Sequence, residues 1–221
     1  MRTLDAADFT LATPPAPLDA EGIHVWYFRG VAKSQRADIL SRLLADYLGI
    51  ARERVEVERD THGKPRILAP RAPALHFNLS HSGPSLIVAL SRAQALGVDI
   101  EDGLRDRPWL AIAERFFAPA EFERLAELTQ ARLGTAFIEL WSCKEAVLKA
   151  LGRGIAFGLH RLRFRWDAQG RLAGLSEIDP EAGAAAEWQV VRLAPAAGVG
   201  GALAWHGRDR PLLAFAAAAR P

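Results

Sequence analysis

The chain is short of cysteine, of long apolar runs and of any excess of one charge, and each shortage removes a class of protein. A lone Cys143 rules out an internal disulfide and a cysteine-built zinc cage, so folding needs no oxidising compartment. The opening MRTLDAADFTLATPPAPLDA has no unbroken apolar stretch of the kind a signal peptide needs. Nowhere do about eighteen apolar residues follow one another without a charge. A cytoplasmic protein with no export signal and no membrane partner is the expectation. Lys and Arg number 28 against 26 Asp and Glu, a formal net charge of +2. That balance is too even for a nucleic-acid stripe, although a mild pull on an acidic partner is consistent with it.

Several catalytic signatures are missing as well. There is no Walker loop, no GxGxxG ahead of a helix, no GxSxG elbow and no HExxH, which removes several common enzyme classes. What is present is ordinary globular composition, 221 residues that are 50% hydrophobic and 24% charged. Such a chain buries a real core as one large domain or two small ones.

Periodicity predicts a strand over Val25 to Phe28, then a helix over Ser34 to Tyr47 carrying Ile39, Leu40, Leu43, Leu44 and Tyr47 and stopped by Gly49. Val55 and Val57 alternate with Glu56 and Glu58 as a half-exposed strand does, ahead of a turn at 60–65. Strands follow at Leu86 to Leu90 and Leu96 to Ile100. Trp109 to Leu128 is helical with a restart at Pro119, and Thr135 to Leu151 is a third helix closed by Gly152. The remaining strands are Leu162 to Trp166, Trp188 to Leu193, Ala202 to Trp205 and Leu212 to Phe215. VEVERDTHGK from Val55 matches LRFRWDAQGR from Leu162 in alternation and in its Asp and Gly. The same offset sets Leu96 to Val98 over Leu203 to Trp205, so a duplication into halves 1–102 and 103–221 is expected.

Chemistry concentrates in a few places. In LGVDIE, Val98 and Ile100 share one strand face and Asp99 and Glu101 the other. Two carboxylates roughly 7 Å apart repel unless a cation, a proton or a basic side chain intervenes, and hard oxygens suit magnesium. A solvated acidic strand end is the plainer reading of the spacing alone. In FIELWSCKEAVLKALG, Ile138, Trp141, Glu145 and Leu148 fall along one side, with Lys149 four residues after Glu145. That is either an i,i+4 ion pair worth about 0.2–0.5 kcal/mol or an acid and a cation at a reactive edge. His76 to Pro84 gathers hydroxyls, an imidazole and backbone donors where a strand enters a turn. Such turns hold phosphate oxygens, and structural Asn/Ser turns look the same. Gly63-Lys64-Pro65-Arg66 puts two cations on a stiff turn.

Taken in order, GKPRI (63–67), FNLSHSG (77–83), GVDIE (97–101), RFFAPAE (115–121) and WSCKEAVLKALGRGI (141–155) resemble the 4′-phosphopantetheinyl transferases. Length and paired halves are similar to the surfactin-type branch, in which one chain holds both halves, rather than to the short acyl-carrier-protein synthases that assemble as trimers. The motifs cover Gly63 to Ile155, and the flanks match in pattern only.

The resemblance implies an α+β fold of two similar α/β subdomains related by a pseudo-two-fold axis, each with a small, mainly antiparallel sheet packed on helices. The active site lies at their interface. It implies a monomeric enzyme that moves the phosphopantetheine arm of coenzyme A to a serine of acyl, peptidyl or polyketide carrier domains, with Mg2+, releasing adenosine 3′,5′-bisphosphate. Asp99, Glu101 and Glu145 would hold the metal with the pyrophosphate. Glu145 would take the serine proton, directly or through a water. Lys149 would face the departing phosphate, His81 the pyrophosphate with Ser80 setting its turn, Lys64 a coenzyme A phosphate, and Lys33 or Arg36 the 3′-phosphate. Lys144 would face cofactor or solvent, Glu121 would support catalysis or a helix dipole, and Arg153 would touch the carrier or cap a helix; for these three the structural role is favoured. A non-catalytic coenzyme A or carrier binder and a metal-dependent phosphohydrolase are the alternatives.

Overall fold

A computed structural model describes residues 1–11, 17–61, 63–69, 75–103 and 107–218. Residue 62 of the turn expected at 60–65 lies outside them. The helices form where periodicity places them: α1 (Arg36–Leu48), α2 (Trp109–Phe116), α3 (Pro119–Ala126) and α4 (Gln130–Leu151). Pro119 opens α3, where its missing N–H costs nothing. Gly49 and Gly152 end α1 and α4 in the left-handed region, at φ of 64° and 73°, which a side chain would strain. Helix α4 begins at Gln130 rather than Thr135, and its first turn extends the apolar stripe through the buried Leu133, ahead of Phe137 and Leu140.

The strands are β1 (Thr3–Asp5), β2 (Phe9–Leu11), β3 (Ile23–Arg29), β4 (Glu56–Arg59), β5 (Pro65–Ala69), β6 (His76–Ser82), β7 (Ser85–Ser91), β8 (Leu96–Asp102), β9 (Leu162–Trp166), β10 (Leu172–Ile178), β11 (Trp188–Ala196), β12 (Val199–His206) and β13 (Leu212–Ala218). One sheet has the order β1-β11-β12-β8, a second β2-β13-β3-β7-β6, and β4–β5 and β9–β10 are separate hairpins. Strands β1 and β2 are too short to show alternation, β5 opens on a proline, and two register shifts break the pattern of β10. Strand β4 is exposed along its whole length rather than half-exposed, since its hairpin carries no sheet behind it.

The molecule is layered. Trp26, Phe28, Leu86, Val88 and Leu90 of the second sheet pack against Leu43, Leu44 and Tyr47 of α1. The opposite face of that sheet, through Val25, Tyr27, Ile87 and Ala89, meets Val98, Ile100, Val191, Leu203 and Trp205 of the first. Helix α4 closes the outer side, with Ala146, Val147 and Leu148 beside Ala202 and Ala204 of β12. Strands from both sides of residue 102 share each sheet: β13 lies parallel to β3, β1 parallel to β11, and β8 antiparallel to β12 with Val98 opposite Leu203. The segments that the repeat offset superposes, Leu96 to Val98 and Leu203 to Trp205, are thus hydrogen-bonded neighbours.

Candidate active site

The site begins with a glycine. A Cβ on Gly97 would stand 2.0 Å from the Ala146 carbonyl oxygen and 2.4 Å from the Ala150 nitrogen, so only glycine lets α4 lie flush on β8. Alternation puts Gly97, Asp99 and Glu101 on the α4 side and Val98 and Ile100 in the core between the sheets. The close approach brings Glu145 and Lys149 onto Asp99. Lys149 Nζ donates to Asp99 Oδ1 at 2.7 Å, to Ser80 Oγ at 3.0 Å and to the Val98 carbonyl at 3.1 Å.

Strand β6 supplies the other wall. Its Asn78, Ser80 and Ser82 face β8, whereas Phe77 turns toward α1. Ser80 Oγ donates to Asp99 Oδ1 and Ser82 Oγ to Glu101 Oε2, both at 2.9 Å, and Asn78 Oδ1 accepts from the Val98 N–H at 2.9 Å. FNLSHS is therefore strand up to Ser82, with the turn at Gly83 and Pro84, rather than a turn throughout. Asp99 Oδ2 and Glu145 Oε1 are buried and accept no hydrogen bond among the described residues. Burial, and then the Asp99 charge, push the Glu145 carboxyl up to about 7.

Ser80, Glu145 and Lys149 open onto a cleft of about 520 Å³ that is also lined by His81, Lys64 and Arg59, whereas Glu101 lines a separate cavity beside Arg192 and Ile138. Lys64 Nζ donates to the Lys149 carbonyl at 2.6 Å and to the Leu96 carbonyl at 3.4 Å. It thus complements the C-terminal end of α4, and its burial lowers its pKa. His81 is exposed on the α1 side of β6; its pKa is lowered, first by burial and then by the charges of Arg36, Lys149 and Lys33. Lys33 sits exposed in the turn before α1, outside the lining of the cleft. Arg36 reaches back to the Gly83 carbonyl at 2.9 Å.

Three further motif residues have other tasks. Lys144 is fully buried, outside the lining of the cleft and away from solvent, and donates to the carbonyls of Leu159, at 2.9 Å, and Leu162. It pairs with Glu121 at 2.6 Å. Glu121 also accepts from the N–H groups of Phe164 and Ala118, which locks α3, α4 and β9 together and caps α3. Arg153 pairs with Glu181 at the surface. Sequence reasoning left Ser82 without a role and passed over Arg107, which stands 3.6 Å from Glu101 Oε2. The i,i+2 match of Ser80 and Ser82 to Asp99 and Glu101 was the available signal for the first.

Chemically, this is a set of hard oxygen donors and one ammonium at the head of a cationic cleft. Among the described residues no three His, Cys, Asp or Glu side chains already surround one point at metal-binding spacing. Lys149 is drawn onto Asp99, and Glu101 is turned to Ser82 and Arg107. The two unpartnered oxygens of Asp99 and Glu145 are nonetheless donors of the kind that Mg2+ selects.

Residues 95–199, which contain Asp99, Glu101, Glu145 and Lys149, match the family model described as the 4′-phosphopantetheinyl transferase superfamily. The 4′-phosphopantetheinyl transferase psf-1 of Bacillus pumilus is 35% identical over 134 residues, 60% of this chain and 55% of that protein. The 4′-phosphopantetheinyl transferase HetI of a Nostoc species is 38% identical over 120 residues, covering 53% of this chain and 50% of its own length. For 4′-phosphopantetheinyl transferase Sfp of Bacillus subtilis the values are 36% over 113 residues, 51% and 48%. The chain spans about half the length of the curated relatives it matches. Strand β8, α4 and every acid of the candidate site lie inside the segment that is similar to the 4′-phosphopantetheinyl transferase superfamily.

Proposed function

We propose that the protein transfers the 4′-phosphopantetheine arm of coenzyme A to a serine of acyl, peptidyl or polyketide carrier domains, as a cytoplasmic monomer. The observation that carries this is the pair of buried, unpartnered oxygens on Asp99 and Glu145 beside the Lys149 ammonium. Burying one acceptor oxygen on each of two acids without a donor is costly, and a bound cation together with a phosphate substrate removes that cost.

Asp99, Glu101 and Glu145 would hold Mg2+, which when bound neutralises charge on the pyrophosphate and draws electrons from the reacting phosphorus. Glu145, whose carboxyl burial pushes up to about 7, is suited in its ionised form to take the serine hydroxyl proton, directly or through a water. The serine oxygen then bonds to the β-phosphorus in line as the bridging bond to the α-phosphate breaks. Adenosine 3′,5′-bisphosphate leaves with the bond electrons, and Lys149 faces the charge that grows there. His81 and Lys64 line the same cleft, where they would bind phosphate oxygens. Lys64 has one donor left beyond its two carbonyls. Lys33, with Arg36, adds positive potential behind His81 for the 3′-phosphate.

The halves 1–102 and 103–221 are proposed to be related by a pseudo-two-fold axis and to meet at this site. In support, β3-β7-β6 and β8-β12-β11 are like runs in the two sheets, the second borrowing its first strand from the end of the first half. Incubation with coenzyme A, Mg2+ and apo carrier domains tests the activity. A phosphopantetheine mass gain on the carrier serine is expected. Binding without any gain on a broad carrier panel would leave a non-catalytic binder, and phosphate release without a carrier would make it a phosphohydrolase.

A further inference from the structure

Where the two sheets meet, β6 runs beside β8, and side chains join them in place of a backbone ladder. Asn78 takes the Val98 N–H, Ser80 donates to Asp99, and Ser82 donates to Glu101. Beyond the turn, Ser85 Oγ donates to Asp102 Oδ2 at 2.6 Å and lies 3.0 Å from the Tyr27 hydroxyl. Asp99 has Lys149 as a second partner, so losing one hydroxyl leaves it held. For Glu101 the second partner is a guanidinium and not a lysine of α4. The same oxygen, Oε2, takes the Ser82 hydrogen bond at 2.9 Å and faces the Arg107 guanidinium at 3.6 Å. Arg107 is 39% exposed, rests over the Trp109 ring at 5.7 Å, and lies outward of Glu101.

Resting on the transferase reading above, we propose that Ser82 is a positioning residue that orients Glu101 as a metal ligand, and that Arg107 is the competing cation from which it holds Glu101 back. A hydroxyl donor fixes the carboxylate without adding charge, whereas a guanidinium both reorients it and repels a divalent cation. Partners of this kind behind a ligand typically change metal affinity by about 10- to 100-fold. Without Ser82, Glu101 Oε2 is left to Arg107. Removing Arg107 as well returns the carboxylate to the metal.

The test is Mn2+ binding to the full chain in saturating coenzyme A, followed by the electron paramagnetic resonance signal of free Mn2+, so that no turnover is needed. Ser82→Ala is expected to raise the Mn2+ Kd about 10- to 100-fold. Ser82→Thr, which keeps the hydroxyl, should stay within about threefold of the parent, and adding Arg107→Ala to Ser82→Ala should recover most of the loss. Ser85→Ala loosens the same turn but touches Asp102 instead, and its Kd should not move. Unchanged binding in Ser82→Ala, no rescue by threonine or by Arg107→Ala, or equal weakening in Ser85→Ala overturns the inference alone. Absence of Mn2+ binding by the unaltered protein removes the metal reading, and this inference with it.

Discussion

Helix α4 presents two lysines to two buried carboxylates, and the pairs differ in one respect. Around Lys144 every acceptor and donor is used: Glu121 at 2.6 Å, the carbonyls of Leu159 and Leu162, and the N–H groups of Phe164 and Ala118 on the carboxylate. Around Lys149 the ammonium is satisfied by Asp99, Ser80 and Val98, but Asp99 Oδ2 and Glu145 Oε1 are not. A buried network that is complete fixes one conformation, and a buried network with vacant acceptors has capacity for a ligand. The first pair therefore holds α3, α4 and β9 together, and the second belongs to the proposed site.

Disrupting the second pair should remove chemistry and spare the fold. Asp99→Asn and Glu145→Gln are expected to lower carrier modification by about 100- to 1,000-fold or more, with melting temperatures no lower than that of the parent. Full activity in either would erase the distinction. The first pair should behave in the opposite way. Lys144→Met strands a buried carboxylate and should cost about 3–5 kcal/mol in chemical unfolding, part of it recovered by adding Glu121→Gln, which removes the stranded charge and keeps an amide oxygen for the Phe164 and Ala118 N–H groups. A stable Lys144→Met protein with slowed transfer would reverse the assignment.

Glu145 gives the comparison a pH axis. Its folded pKa is raised from 4.5 to about 7, so its contribution to stability is full below 4.5 and is lost as pH rises through 7. The amount is on the order of 3 kcal/mol at most. Urea midpoints at pH 5 and pH 8 should differ in the metal-free parent, and the difference should shrink in Glu145→Gln. An equal difference in both would mean that another group titrates. The smallest effect belongs to a surface pair: Arg153→Ala, which removes the Glu181 contact between half-exposed side chains, should change stability by less than about 1 kcal/mol.

Local pattern carried much of this into view. Helix ends at Gly49 and Gly152, the break before Pro119 and the Asp99/Glu101 face all follow from one-dimensional rules, and the structure has them. What stayed hidden depends on neighbours distant in sequence. Lys144 and Glu121 look like solvent-facing residues until α3 and α4 are packed together, and Lys64 looks like a free cation until the Lys149 carbonyl is beside it. Gly97 has no side chain to signal a role, yet it is what allows α4 to reach Asp99. Strand β13, from the far end of the chain, enters between β2 and β3, a placement that no local repeat announces.

The most direct measurement is the intact mass of an apo carrier domain after incubation with coenzyme A, Mg2+ and either the unaltered protein or Glu145→Gln. The unaltered protein should add one phosphopantetheine to the carrier serine, and Glu145→Gln, folded and at equal concentration, should leave the carrier apo. Equal modification by both, or by neither across a broad carrier panel, would contradict the account.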